Sequence, residues 1–187
     1  MDESRLRIVT GEVRLAYCNV WNPKPNHTSG SGALKYSAQL IIPKTSRKTV
    51  AAILDGIDAA IDQGVEQGIW KIKPSLDKVK HPLRDGDADR PEDPNYWGCW
   101  FVNANTTVRP RIVGLDNKPL TNPGEMYSGV YARVVLTFVP FPHVGGCISA
   151  ILGNIQKLAD GDSMCKNCSN PADDFRTEVL DTWPSTM

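Results

Sequence analysis

Tyr131 and Arg133 stand two residues apart in the stretch Tyr127-Ser-Gly-Val-Tyr-Ala-Arg-Val-Val-Leu-Thr-Phe-Val-Pro-Phe141. On a strand that spacing sends both side chains to one face, roughly 7 Å apart. A ring and a guanidinium at that distance match the reach of one stacked base and its phosphate. Lys35 beside Tyr36 repeats the pairing, and Trp21 and Lys24 repeat it at the root of a Pro- and Gly-rich stretch. Stacking candidates are Tyr17, Trp21, Tyr36, Trp97, Trp100, Phe101 and Tyr131, with about half of them expected in the core instead. Phosphate candidates are Arg14, Lys24, Lys35, Lys44, Arg84, Arg109, Arg111 and Arg133, each with a solvated surface charge as its equal alternative. The surface favoured by this interleaving is Arg14, Tyr17, Trp21, Lys24, Lys35, Tyr36, Arg84, Trp100, Arg109, Arg111, Tyr131 and Arg133.

Other chemistry finds less support. Asp85, Asp87 and Asp89 open like a calcium loop, yet the sixth position is Arg90 instead of Gly and the twelfth is Tyr96 instead of Glu. The same carboxylates are the best case for a metal-dependent nuclease acting on DNA, since paired carboxylates can hold Mg²⁺ for attack on phosphate. All three lie in one loop, and no acidic residue or His on an expected strand joins them. His27, His81 and His143 fall in loops without a nucleophile signature. Cys165-x-x-Cys168 is half a zinc knuckle, with no second pair after it. No catalytic residue, cofactor or metal is expected.

These side chains need strands to hold them. Val130, Ala132, Val134, Leu136 and Phe138 alternate with Tyr131, Arg133 and Thr137, which predicts a long strand, curled at Gly129 and stopped at Pro140. A first strand is predicted over 8–17, with Val9, Val13, Leu15 and Tyr17 on one side, and a second over 34–42. Between them, residues 19–32 read as a mobile loop. Val50, Ile53, Leu54, Ile57, Ile61 and Val65 recur at helical spacing within 46–67, with Gly68 placed for a C-terminal cap and Asp55, Asp58 and Asp62 facing solvent. Residues 70–95 read as an irregular charged loop, 96–103 and 106–113 as extended chain, and 147–152 as a returning strand. Short strands, one helix and long basic or aromatic loops predict a mainly β fold. Its expected form is a five-stranded Greek-key barrel of the oligonucleotide-binding (OB) type with an inserted amphipathic helix.

The 187 residues, 41% of them apolar, suffice for one core. No run approaches the roughly 20 apolar residues of a membrane span, and the Met-Asp-Glu-Ser start lacks a signal-peptide core, so a soluble, cytosolic protein is expected. Cys18, Cys99 and Cys147 sit in apolar runs and read as buried thiols. The formal charge of zero conceals an asymmetry. Residues 1–157 hold 19 basic and 15 acidic residues, a net of +4, whereas 158–187 hold 2 and 6, a net of −4. The expected division is a binding domain over 1–157 and a disordered acidic tail over 158–187. Asp173-Asp174-Phe175 in that tail is suited to compete with DNA for a basic groove and to recruit other proteins.

Read as an ordered series, several stretches resemble a known family. They are Leu15-Ala-Tyr-Cys-Asn-Val-Trp-Asn-Pro23, Lys35-Tyr-Ser-Ala-Gln-Leu-Ile-Ile-Pro-Lys44, Pro82-Leu-Arg-Asp-Gly-Asp87, Phe101-Val-Asn-Ala104, Tyr127-Ser-Gly129 and Leu152-Gly-Asn-Ile-Gln-Lys157. Together they are similar to the phage-encoded single-stranded-DNA-binding family, long catalogued as a domain of unknown function. The resemblance covers residues 8–157 and implies an OB fold and sequence-tolerant binding of single-stranded DNA in phage replication or recombination. The expected partner is then single-stranded DNA; the acidic tail adds replication or recombination proteins, and a homo-oligomer is left open. No membrane partner is expected, and the place of action would be the bacterial host cytoplasm. A phage structural or assembly protein is the remaining alternative. Cys165-Lys-Asn-Cys168 and the extension after Phe175 depart from the family's pattern.

Overall fold

A computed structural model describes residues 4–25, 32–142 and 146–164. His27, His143, Cys165, Cys168 and Asp173-Asp174-Phe175 lie outside the described residues. The chain is mainly β. Its strands are β1 (Arg7–Val9), β2 (Val13–Pro25), β3 (Leu34–Pro43), β4 (Leu83–Asp85), β5 (Cys99–Thr106), β6 (Ile112–Val113), β7 (Tyr131–Phe141) and β8 (Cys147–Ala159). Helix α1 spans Arg47–Glu66, and a single turn, α2, spans Gly86–Asp89.

Five strands close a ring. β7 pairs with β2, β2 with β3, β3 with β5, β5 with β8 and β8 again with β7. All of these ladders are antiparallel except β5–β8, which is parallel. β1 extends the sheet from β7, β4 from β5 and β6 from β8. A sheet closed in this way leaves no open edge along the ring, and its inward residues fill the interior. Those are Val13 and Leu15, then Ala38, Leu40 and Ile42, then Val102 and Ala104, then Val130 through Phe138 at alternate positions, and Ile148 through Leu152 likewise.

α1 lies against β7 and β1, burying Ile53, Ile57, Ala60 and Ile61. Each of the three isoleucines contributes about 1.5–3 kcal/mol. Gly56 permits the approach, because a Cβ there would sit 2.6 Å from the Phe138 ring. Gly68, at φ +75°, ends the helix as expected. Its carboxylates do face outward, where Asp55 meets Arg5 and Lys73 bridges Asp58 and Asp62 at 2.8 and 2.7 Å.

Several stretches differ from the sequence-based expectation: β4 and α2 stand inside the expected irregular loop 70–95, and β5 starts at Cys99 and not at Tyr96. The first predicted strand divides at Thr10–Glu12, and β2 then runs on to Pro25 through half of the expected loop. Pro23 and Pro25 fit there because β2 pairs loosely with β3 beyond Asn19, so missing N–H donors cost few ladder bonds. β8 runs seven residues past Leu152, and Gly153 sits where a Cβ would be 2.9 Å from Val135. Residues 158–164, expected at the start of a disordered tail, are instead placed. Leu158 and Ala159 belong to β8, Tyr127 donates to the Asp160 carboxylate and the Gly161 carbonyl, and the Met164 N–H donates to the Ser128 carbonyl.

Candidate nucleic-acid interface

Alternation on β3 and β5 divides their side chains between two faces. Tyr36, Ala38, Leu40 and Ile42, with Thr106, Ala104, Val102 and Trp100 opposite them, take the inward parity. Lys35, Ser37, Gln39 and Ile41, with Asn105, Asn103 and Phe101 opposite the last three, take the outward one. The adjacent Lys35 and Tyr36 therefore lie on opposite faces. Trp100 is half-buried against the core with the Lys44 ammonium 4.9 Å from its ring centroid.

On β2, Arg14 and Ala16 share the outward parity of their partners Ile41 and Gln39. A bulge then follows between Ala16 and Asn19, in which Tyr17 adopts φ +46°. A left-handed conformation is costly for a residue with a Cβ. Its effect here is to turn Tyr17 away from the inward side that period two assigned it. The ring is 59% exposed. Cys18 takes the inward place instead, where burial pushes its thiol up to about 12.

The outward face holds a groove of about 470 Å³. Its floor is Asn19, Ser37, Gln39, Asn103 and Asn105, with Lys24 and Lys35 paired across β2 and β3 and Tyr17 and Arg90 among the remaining lining residues. The Gln39 amide donates to Asn103 Oδ1 at 2.7 Å, and Tyr96 donates its hydroxyl hydrogen to Gln39 Oε1. Tyr96 is fully buried, which pushes its phenol up to about 12. It stands edge-on to Phe101 at 5.4 Å, above Ile41 and Ala16, as the plug of a small second apolar cluster. A cavity of about 240 Å³ adjoins the groove beyond Tyr17, lined also by Asn95, Tyr96, Ser128 and Met164.

Of the residues expected on the interface, Tyr17, Lys24 and Lys35 meet in this groove. Arg14 and Tyr131 do meet, across β2 and β7, with the guanidinium 6.0 Å from the ring centroid. Residues 160–164 press on both: Arg14 donates to the Asp162 carbonyl at 2.8 Å, and Gly161 lies so near that an added Cβ would be 2.8 Å from the Tyr131 ring. Arg133 is exposed on the same face of β7. Arg109 stacks 5.2 Å above Trp21, which is half-buried against the core, and Arg111 is exposed just before β6. Arg84 lies outward over Phe101 at 5.4 Å and is bound by Asp89 at 2.8 Å. Phe101 is entirely buried, so the core alternative holds for that ring. Trp97 is 59% exposed and donates its indole N–H to the Pro91 carbonyl.

Lys44 is held at 2.7 Å from Asp85 and 2.8 Å from Asp87. That hydrogen bond, with one from Gly98 N–H, keeps the Asp87 carboxyl below its ordinary range. Asp85, Asp87 and Asp89 thus each hold a cation. Among the described residues, no three His, Cys, Asp or Glu side chains converge as a metal site.

Sequence reasoning passed over Asn19, Ser37, Gln39, Arg90, Asn103 and Asn105. The signal for four of them was present: Ser37 and Gln39, like Asn103 and Asn105, are the polar half of an alternation whose other half is apolar. Arg90 had no such signal, because it comes from an irregular loop.

The model of the Enterobacter phage Enc34 ssDNA-binding protein family matches residues 6–182. The chain belongs to that family. Protein p50 of Acyrthosiphon pisum secondary endosymbiont phage 1 is 32% identical over 162 residues, 84% of this chain and 86% of that protein. Among solved structures, the fold is shared with a C-terminally truncated single-stranded DNA-binding protein of bacteriophage Enc34. That match has a TM-score of 0.70 at 24% identity, over 85% of this chain and 89% of that one. The same phage protein has been solved in complex with ssDNA, with the same TM-score and identity. gp2.5, a single-stranded DNA binding protein encoded by bacteriophage T7, matches with a TM-score of 0.57 at 13% identity, over 88% of this chain and 97% of that one. Every element of the groove lies inside the span matched by the family model.

Proposed function

We propose that this chain binds single-stranded DNA, without sequence preference and without catalysis, along the outward face of β2, β3 and β5. The observation that carries the reading is the open groove in which Lys24 and Lys35 flank a floor of neutral amides and one hydroxyl, with an exposed Tyr17 ring, backed by Arg90, at its side. Cations can follow a phosphate backbone, amides can accept or donate to any base edge, and one presented ring can stack on any base. The closed ring of five strands, with α1 packed on its β7 and β1 side, supports reading the fold as an OB-type barrel, a fold suited to this chemistry. Membership of a phage single-stranded-DNA-binding family supports a role in phage replication or recombination, in which the protein would protect or organise exposed strands in the cytoplasm of the bacterial host. No helix among the described residues is long and apolar enough to cross a membrane.

Tyr36 and Trp100 are set aside as stacking platforms because of their inward parity, and Arg14 and Tyr131 because residues 160–164 cover them. The absence of catalysis is supported by the pairing of Asp85, Asp87 and Asp89 with Lys44 and Arg84. Titration of a labelled oligonucleotide against the full chain, with and without Mg²⁺ and with products run on a gel, tests the reading. Binding should be stronger for single strands than for duplex of equal length. It should also weaken with salt at a log–log slope of about −0.7 per phosphate contacted. Shortened products in Mg²⁺ would mark a nuclease, and no binding would point to an assembly role.

A further inference from the structure

Tyr17 borders both the groove and the smaller cavity beyond it. It is a strained, exposed ring on a bulge, and a ring so placed needs something to hold it. Arg90, from the loop after α2, supplies the contact. Its Nη1 donates to the Tyr17 hydroxyl at 3.2 Å, and the guanidinium carbon lies 5.7 Å from the Tyr17 ring centroid. The same guanidinium lies 5.1 Å from the buried Tyr96 ring and 5.6 Å from that of Phe101. It therefore ties one exposed ring to two that are fully buried. Among the described residues, Arg84 and Lys44 are held by carboxylates and Arg109 faces one ring, whereas Arg90 faces three rings and donates to a phenol, with the charge of Asp93 adding attraction.

We propose that Arg90 is a positioning residue for DNA binding, acting through Tyr17 and not through phosphate. By fixing the ring as the wall between the two cavities, it makes Tyr17 a divider between successive bases of a bound strand. A planar guanidinium can stack and donate at once; a lysine ammonium in its place would keep the charge and lose the fork. The inference rests on the groove being the DNA-binding face.

A double-mutant cycle in the full-length protein tests it, with affinity for labelled dT oligonucleotides measured across a salt series and folding followed by thermal denaturation. Tyr17→Leu should weaken binding by roughly 5- to 150-fold, the span of a lost stacked base. Arg90→Ala should weaken it by roughly 5-fold, leave the salt slope unchanged, and add nothing in the Tyr17→Leu background. Additive losses, a slope reduced by about 0.7, or wild-type affinity of Arg90→Ala would each overturn the positioning role. Should Arg90→Ala not fold, Arg90→Lys and Tyr17→Phe carry the test: both should bind more weakly at unchanged melting temperature, and wild-type affinity in both overturns the proposal. Unchanged affinity of Tyr17→Leu would sink the groove reading along with it, whereas additivity sinks this inference alone.

Discussion

The outward face of β2, β3 and β5 has two halves built by the same alternation and treated oppositely by the fold. In one half Ala16, Ile41 and Phe101 project outward, and the chain returns over them, with Tyr96 as the plug. In the other, Asn19, Ser37, Gln39, Asn103 and Asn105 project outward, and nothing among the described residues closes the groove above them. Outward apolar groups demand a cover because exposure forfeits about 25 cal/mol per Å². Outward amides make no such demand, because water or a ligand satisfies them equally well. Gln39 sits at the border and serves both halves, accepting from Tyr96 and donating to Asn103. The lesson is that a binding surface can be recognised as the part of a sheet face that the chain declined to cover.

If the division is real, substitutions in the covered half should move stability and those in the open half should move affinity. The largest effect is expected from Phe101→Ala, which empties the centre of the covered cluster and should cost about 3–5 kcal/mol by chemical denaturation. A loss below about 1 kcal/mol there would mean that the cluster is not a core. Next comes the paired change Lys24→Ala with Lys35→Ala in the open half. It should lower the salt slope of DNA binding by about 1.4, if each lysine meets one phosphate, with the melting temperature held. An unaltered slope would remove these two lysines from the path of the strand.

The smallest effect is expected at the border. Tyr96→Phe keeps the ring against Phe101 but removes the donor to Gln39, which should cost about 1 kcal/mol. The pH dependence has a definite sign. Burial raises the folded phenol to about 12, above the ordinary value near 10, so its stabilising contribution is complete below about pH 10 and fades as pH rises toward 12. Wild type should therefore lose stability over that window more steeply than Tyr96→Phe. Parallel curves for the two proteins would show that Tyr96 is not the group responsible.

Period-two and helical spacing were enough to place α1, the long strand β7 and the inward residues of β3, because burial on one side is a local pattern that each segment carries by itself. Family membership was legible too, as an ordered series of short stretches spread over most of the chain. What tertiary structure alone decided was the side on which particular rings fall. Tyr17 leaves its expected face because one left-handed residue resets the alternation, and nothing in Ala-Tyr-Cys-Asn announces that bulge. Arg14 and Tyr131, both expected on the interface, have residues 160–164 against them, a segment distant in sequence and too polar to suggest burial. Arg90 reaches Tyr17 across 73 positions of chain, from a loop with no periodicity to read. A residue's secondary structure is set by its neighbours in sequence, whereas its exposure is set by whatever the rest of the chain brings over it, and a binding site is a statement about exposure.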